Sequence, residues 1–91
     1  MEKNERKKLY QKAIDTWGID AQRYMLFEEL GELVTAIAQE NRGRVSKKDI
    51  ITELADVSIM CEQMALFLGY DDYEKEKEFK LDRLKKRLEK Y

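Results

Sequence analysis

An all-α fold is what this sequence predicts: four helices joined by short turns, in one domain covering residues 1–91. Three observations carry the expectation. The chain contains no proline, and prolines punctuate β-rich and loop-rich chains. Its apolar residues recur at helical spacing over long runs. Each run then ends on its own stop signal, at Gly18, Gly43 and Gly69.

The first helix is expected from about Glu2 to Trp17, with Leu9, Tyr10, Ala13, Ile14 and Trp17 on its apolar side and Gly18 as a left-handed cap. The second starts after Asp20, whose carboxylate can accept the orphan amides of the first turn. Ile19 and Tyr24 fit a hydrophobic staple around that cap, and the helix runs to about Glu40 before Asn41-Arg42-Gly43. Ser46 opens the third, with Asp49 as its capping-box partner and a Val45/Ile50 staple. This helix continues to about Leu68 and stops at Gly69. Asp71 is expected to cap the fourth, with Glu74 at the box position, running towards the C-terminus.

Composition narrows the function classes. With 18 Lys and Arg against 19 Asp and Glu, the chain lacks the one-sign field of a duplex-DNA binder, and no nucleic-acid partner is expected. No window approaches the roughly 18 apolar residues of a membrane span, so no membrane partner is expected. The charged start, Met1 to Arg6, shows no signal-peptide pattern, and the single Cys61 cannot form an internal disulfide. Both fit a reduced, cytoplasmic setting. Histidine is absent, which excludes a His base, a His zinc site and the Glu-x-x-His pattern of di-iron bundles.

The third helix is apolar on more than one side. Ile50, Leu54, Val57, Cys61, Met64 and Leu68 form one stripe, and Ile51, Ala55, Ile59 and Leu66 another. A helix apolar on most sides must be buried on most sides. A 91-residue bundle can hardly enclose one of its own helices, and small domains leave much of their surface exposed. A homo-dimer or dimer of dimers is therefore expected to complete the fold.

The chemistry is expected from carboxylates. The second helix carries Glu28-Glu29-Leu30-Gly31-Glu32 and the third Glu53-Leu54-Ala55-Asp56. Glu29 with Glu32, and Glu53 with Asp56, are each three residues apart and so share a face. The second helix's core stripe is read as Leu26, Leu30, Leu33 and Ile37. Glu29 then lies roughly 80° and Glu32 about 140° from its centre, with Glu53 and Asp56 at similar angles on their own helix. Packed as an antiparallel hairpin, the four acids would meet in a groove flanked by Met25, Ala36, Met60, Met64 and Phe67. Glu28, opposite the stripe, is assigned to solvent. Gathered carboxylates repel one another and shift towards protonation, a conflict that a cation removes. An all-oxygen donor set selects a hard ion, Mg²⁺ or Mn²⁺, and Mg²⁺ is commonly completed by substrate phosphates. Glu pairs at this spacing are also common on solvated helices, so the doubled pair carries the reading.

Glu29-x-x-Glu32 followed, after twenty residues, by Glu53-x-x-Asp56 resembles the MazG-like nucleoside triphosphate pyrophosphohydrolases, all-α enzymes related to the dimeric dUTPases and dCTPases. The likeness runs from Trp17 to about Leu68 and is strongest in Phe27–Leu33 and Glu53–Val57. It implies a Mg²⁺-dependent hydrolase that cleaves a nucleoside triphosphate between its α and β phosphates, releasing a monophosphate and pyrophosphate. It also implies Glu29, Glu32, Glu53 and Asp56 as metal ligands and catalytic residues, and a role in cleaning the nucleotide pool. In that family a Lys-x-x-Asn-x-x-Lys-like element late in the chain holds phosphate. Here Lys80, Arg83 and Lys86 have the spacing, with Arg83 where Asn is often found, and a solvated basic face is the other reading. Arg42, Arg44, Lys47 and Lys48, in the turn between the acid-bearing helices, are further phosphate candidates or simply a solvated loop. Trp17 and Gln22 are candidate nucleotide contacts, the indole, with Tyr24 and Phe27 near it, as a wall for a base and the amide as a reader of its edge. Core and helix-start roles are their bland alternatives, and Cys61 is read as structural. The rival function is a non-enzymatic helical module that senses nucleotides or regulates a partner.

Overall fold

The computed structural model describes all residues, 1–91, and is helical with no strands. In chain order the helices are α1 (Lys3–Trp17), α2 (Ile19–Asn41), α3 (Lys47–Leu68) and α4 (Tyr70–Leu88). No helix is long and apolar enough to cross a membrane.

The corners follow from local chemistry, with two corrections. Gly18 closes α1 and opens α2 at once. Its N–H donates to the Ile14 carbonyl at 2.8 Å, and its own carbonyl accepts from the Gln22 N–H at 3.2 Å. One residue doing both needs φ of 89°, a conformation open to glycine at little steric cost. Asp20 consequently lies inside the first turn of α2 and caps nothing; it pairs with Arg23 at 3.4 Å. The expected staple also fails, since Tyr24 is exposed and meets Phe27 edge-on. Gly69 repeats the device between α3 and α4 at φ 137°, so Asp71 is not a cap either.

The other corner is as expected. The Gly43 N–H reaches the Glu40 carbonyl at 2.8 Å and the Arg44 N–H reaches that of Gln39 at 2.8 Å, the paired bonds of a Schellman ending. Ser46 and Asp49 then form the capping box. The Asp49 N–H donates to Ser46 Oγ at 3.2 Å, and the Ser46 N–H donates to Asp49 Oδ2 at 3.0 Å. These bonds hold the Asp49 carboxyl below its ordinary range.

The five-residue turn folds α2 back antiparallel on α3, the most extensive contact in the subunit. On the other side α1 borders α3 around Ala55, Ser58, Ile59 and Glu62. There the Tyr10 hydroxyl donates to Glu62 Oε2. Burial and this bond push the Tyr10 phenol up to about 12. The root of α4 is held by an ion pair from Lys3 to Glu74 at 3.5 Å and by Lys3 and Lys7 over the Tyr70 ring. From Lys75 onward every residue is exposed, so the rest of α4 is an arm.

The core is small. Tyr10, Ile14, Ala36, Met60 and Ala65 are buried, with the amides Gln22 and Gln63. The leucine stripes read as core do not form it. Leu30, Ile37, Leu54, Cys61 and Leu68 are exposed, while Leu26, Leu33, Ile50, Val57 and Met64 are half-buried. The reason is rotational. The buried residues Gln22 and Ala36 on α2 and Met60 and Gln63 on α3 lie about 50–140° round each helix from its stripe, all on the acid-bearing flank. The hairpin closes on its acid-bearing sides and turns its leucines outward.

Candidate metal centre

Because the hairpin closes on that side, the carboxylates enter its seam. Glu29 lies seven residues after the buried Gln22 and seven before the buried Ala36, and Glu53 seven before Met60. Seven residues is nearly two helical turns, which keeps a side chain on one side of a helix. One oxygen from each of Glu29, Glu53 and Asp56 lies within 4.8 Å of the others. Glu32 is exposed and lies outside that group, near enough for its charge to act on Glu29 and Glu53. Three of the four acids singled out in the sequence thus share one cluster, with Glu32 beside it.

The electrostatics follow. Burial, then the charges of Glu32, Asp56 and Glu53, push the Glu29 carboxyl above the ordinary glutamate range. Burial and Glu32 do the same to Glu53. Glu29 Oε2 and Glu53 Oε2 are both buried without a hydrogen-bond partner. Buried charge without a partner is costly, and no lysine or arginine pairs with these acids: the subunit's ion pairs are Lys3–Glu74, Arg23–Asp20 and Lys80–Glu76. A proton or a cation among the oxygens relieves the conflict. The donors are all carboxylate oxygens, the set that suits a small hard divalent ion.

An open groove of about 650 Å³ runs from the acids along the seam to the α2–α3 turn. Glu28, Gly31, Glu32 and Thr35 line one wall and Val45, Asp49 and Glu53 the other. Glu28 is exposed, as expected, and forms its rim. Asp49 also faces the groove, but its Oδ2 is taken up by the Ser46 amide. The basic residues of the turn, Arg42, Arg44, Lys47 and Lys48, are exposed at that end of the hairpin.

The other candidates are not gathered at the acids. Lys80 and Arg83 stand on the exposed arm of α4, where Lys80 reaches Glu76 at 3.8 Å, and α4 meets the body only through its first turn, against α3 and the start of α1. Trp17 is exposed at the end of α1, beside a separate groove shared with Leu9, Ala13 and Ile59. Gln22 is 6% exposed, so its amide has no open path to a base edge. It is interior because it shares the heptad-spaced side of α2 with Glu29 and Ala36. Cys61 is exposed and not a core thiol.

Two residues of the seam escaped the sequence reading. Gln39 Oε1 and Gln63 Oε1 are buried without partners, like the oxygens of Glu29 and Glu53. A signal existed: Glu29 with Glu53, and Gln39 with Gln63, are both twenty-four residues apart. The two helices therefore carry the same polar pattern in the same register. No family model, no curated protein and no solved structure matches this chain.

Proposed function

We propose that the chain is a Mg²⁺-dependent nucleotide pyrophosphohydrolase. Its substrates would be nucleoside triphosphates, cleaved between the α and β phosphates to a monophosphate and pyrophosphate, in the service of nucleotide-pool cleaning. The observation that carries the reading is the meeting of Glu29, Glu53 and Asp56 in one seam with Glu32 beside them, two of the cluster's oxygens being buried and unpartnered. The sequence resemblance to MazG-like enzymes rests on these same four residues.

In this reading the four carboxylates hold Mg²⁺, or Mn²⁺ in its place. The ion supplies charge neutralisation for a polyphosphate, polarisation of phosphorus and acidification of a bound water. The chain's own contributions are separate. The seam holds the carboxylates at fixed separation, and one of them is the nearest available base, since histidine is absent. The groove gives a polyphosphate a path from the acids to Arg42, Arg44, Lys47 and Lys48, whose charges balance its outer end. The setting is cytoplasmic and reducing, consistent with an exposed unpaired Cys61, and the working form is an oligomer.

A second reading has its own support. Trp17, Lys80 and Arg83 stand away from the acids, and Gln22 is buried. None of these four candidates therefore stands beside the acids as a contact for a base. A non-enzymatic module that senses nucleotides or regulates a partner fits that arrangement.

Incubation with a panel of ribo- and deoxyribonucleoside triphosphates plus Mg²⁺ separates the two. Pyrophosphate and a nucleoside monophosphate are expected. Orthophosphate would place the cleaved bond elsewhere, and no turnover would favour the module. Glu53→Gln should lower turnover by at least about a hundredfold, since even the outer-shell partners of metal ligands cost 10–100-fold, with helical circular dichroism intact. Full activity in that variant would remove the metal assignment.

A further inference from the structure

We infer that the far half of α4, from Lys80 onward, is a docking surface for anionic lipid. It lies along a negatively charged bilayer with its leucines among the headgroups, and does not cross. The inference does not depend on what the acids of the seam bind.

The arm is amphipathic. Leu81, Leu84 and Leu88 fall within about 60° of one another round the helix, and they are 51%, 51% and 62% exposed. With Lys85 and Glu89 they line a shallow groove of their own. Nothing in the subunit covers them, because α4 meets the body only through its first turn and every residue from Lys75 onward is exposed. Phe79 lies on the opposite side of the helix and takes no part in the stripe.

Positive charge is concentrated in the same stretch. Residues 80–90 hold six of the chain's 18 basic residues and two of its 19 acids, a net of +4 on a chain whose formal charge is −1. Lys85, Lys86 and Arg87 sit in the last turn, where the macrodipole favours cations, so the helix end accounts for them. It accounts for neither Lys80 and Arg83 nor the leucines. Lys80 pairs with Glu76, and the other five cations are in no ion pair.

The arrangement selects the partner. Lys80 and Arg87 border the stripe on one edge and Lys85 on the other, about 65–95° from its centre, with Asp82 and Glu89 farther round. Long basic stems let charged heads stay at the headgroups while the leucines enter. Free phosphate or a nucleic acid would take the charges and leave the leucines in water. A protein groove would meet only the bordering cations, whereas an extended negative surface acts on every basic side chain within a Debye length, about 10 Å. A narrow apolar stripe on a helix with a basic polar face is the pattern of a segment lying in the interface plane. That no helix can cross a membrane bears on spanning and not on this contact.

Flotation of the intact chain with phosphatidylcholine vesicles, with and without phosphatidylglycerol, tests this. Binding is expected at low salt to the anionic vesicles and not to the neutral ones. Release is expected at about 1 M salt, where the Debye length falls to about 3 Å. Arg83→Gln with Arg87→Gln should weaken binding about thirtyfold, and Leu84→Gln with Leu88→Gln at least about tenfold. All four side chains are exposed, so helical circular dichroism should persist. If a variant unfolds, the lipid and salt series on the unaltered chain decides. No binding to anionic vesicles overturns the proposal and leaves the arm to an acidic protein groove. Release by inorganic phosphate at constant ionic strength overturns it in favour of a site for soluble phosphate. Binding untouched by the leucine variant overturns it too, since charge alone would then hold the chain.

Discussion

The α2–α3 hairpin has two sides with opposite characters. Its seam buries carboxylates and amides, with the oxygens of Glu29, Gln39, Glu53 and Gln63 unpartnered. Its outer face leaves Leu30, Ile37, Leu54 and Leu68 in water. An isolated subunit gains by the reverse arrangement, because apolar burial drives folding and unpaired polar burial opposes it. The difference teaches that the rotation of the two helices, rather than their composition, sets which side is buried. In the proposed reading, a cation in the seam would turn the polar cost into a contact.

Substitutions can break that comparison from the seam side. Met60, 9% exposed, is the one large apolar side chain buried in the seam of α3. Met60→Ala should cost about 2–3 kcal/mol, read as a lower Tm. An equally large loss from Leu54→Ala in a monomeric subunit would erase the distinction between the two sides.

A cation sharpens it. At a hundred times its Kd, Mg²⁺ should stabilise the fold by about 2.7 kcal/mol, seen as a rise in Tm that Glu53→Gln abolishes. Proton linkage works in the same direction. Glu29 and Glu53 have folded pKa values raised by burial and by their neighbours, so the folded state binds more protons than the unfolded one. The metal-free fold should therefore gain stability as pH falls from neutral through the raised values to the ordinary glutamate pKa, about 4.3. It should lose that gain as pH rises again. A metal-free Tm that falls over this window would contradict the crowding of the acids.

Smaller effects test the frame that sets the two sides. Ser46→Ala removes one half of the capping box and should cost about 1 kcal/mol, without changing the gain from Mg²⁺. Gly31 is helical, faces the groove, and a Cβ there would meet nothing within 4 Å. Gly31→Ala should raise stability by up to about 1 kcal/mol. A loss of turnover alongside the higher Tm would show that the groove needs its full width beside Glu32.

Much of this was legible in the chain. The stops at Gly18, Gly43 and Gly69 and the Ser46–Asp49 box are local events, settled by backbone conformation and neighbours a few residues away. The pairing of acids at three-residue spacing is local as well, and it was enough to single out the three that meet and Glu32 beside them. Asp20 was misplaced because a single glycine served two helices, leaving no intervening position to cap. Gln22 and Cys61 depart from the sequence expectation for one common reason: the leucine stripes face outward rather than inward.

The sequence by itself determined four helices, their ends, and two matched sets of carboxylates and leucines on the long pair. Each follows from interactions within one helix or one turn, at most a few residues apart. Only the tertiary structure decided how far α2 and α3 are turned about their own axes, and hence that acids entered the seam while leucines stayed outside. That angle is the sum of contacts among residues tens of positions apart, including the fit of Ala36 and Met60 and the placement of α1 along α3. No local propensity encodes such a sum.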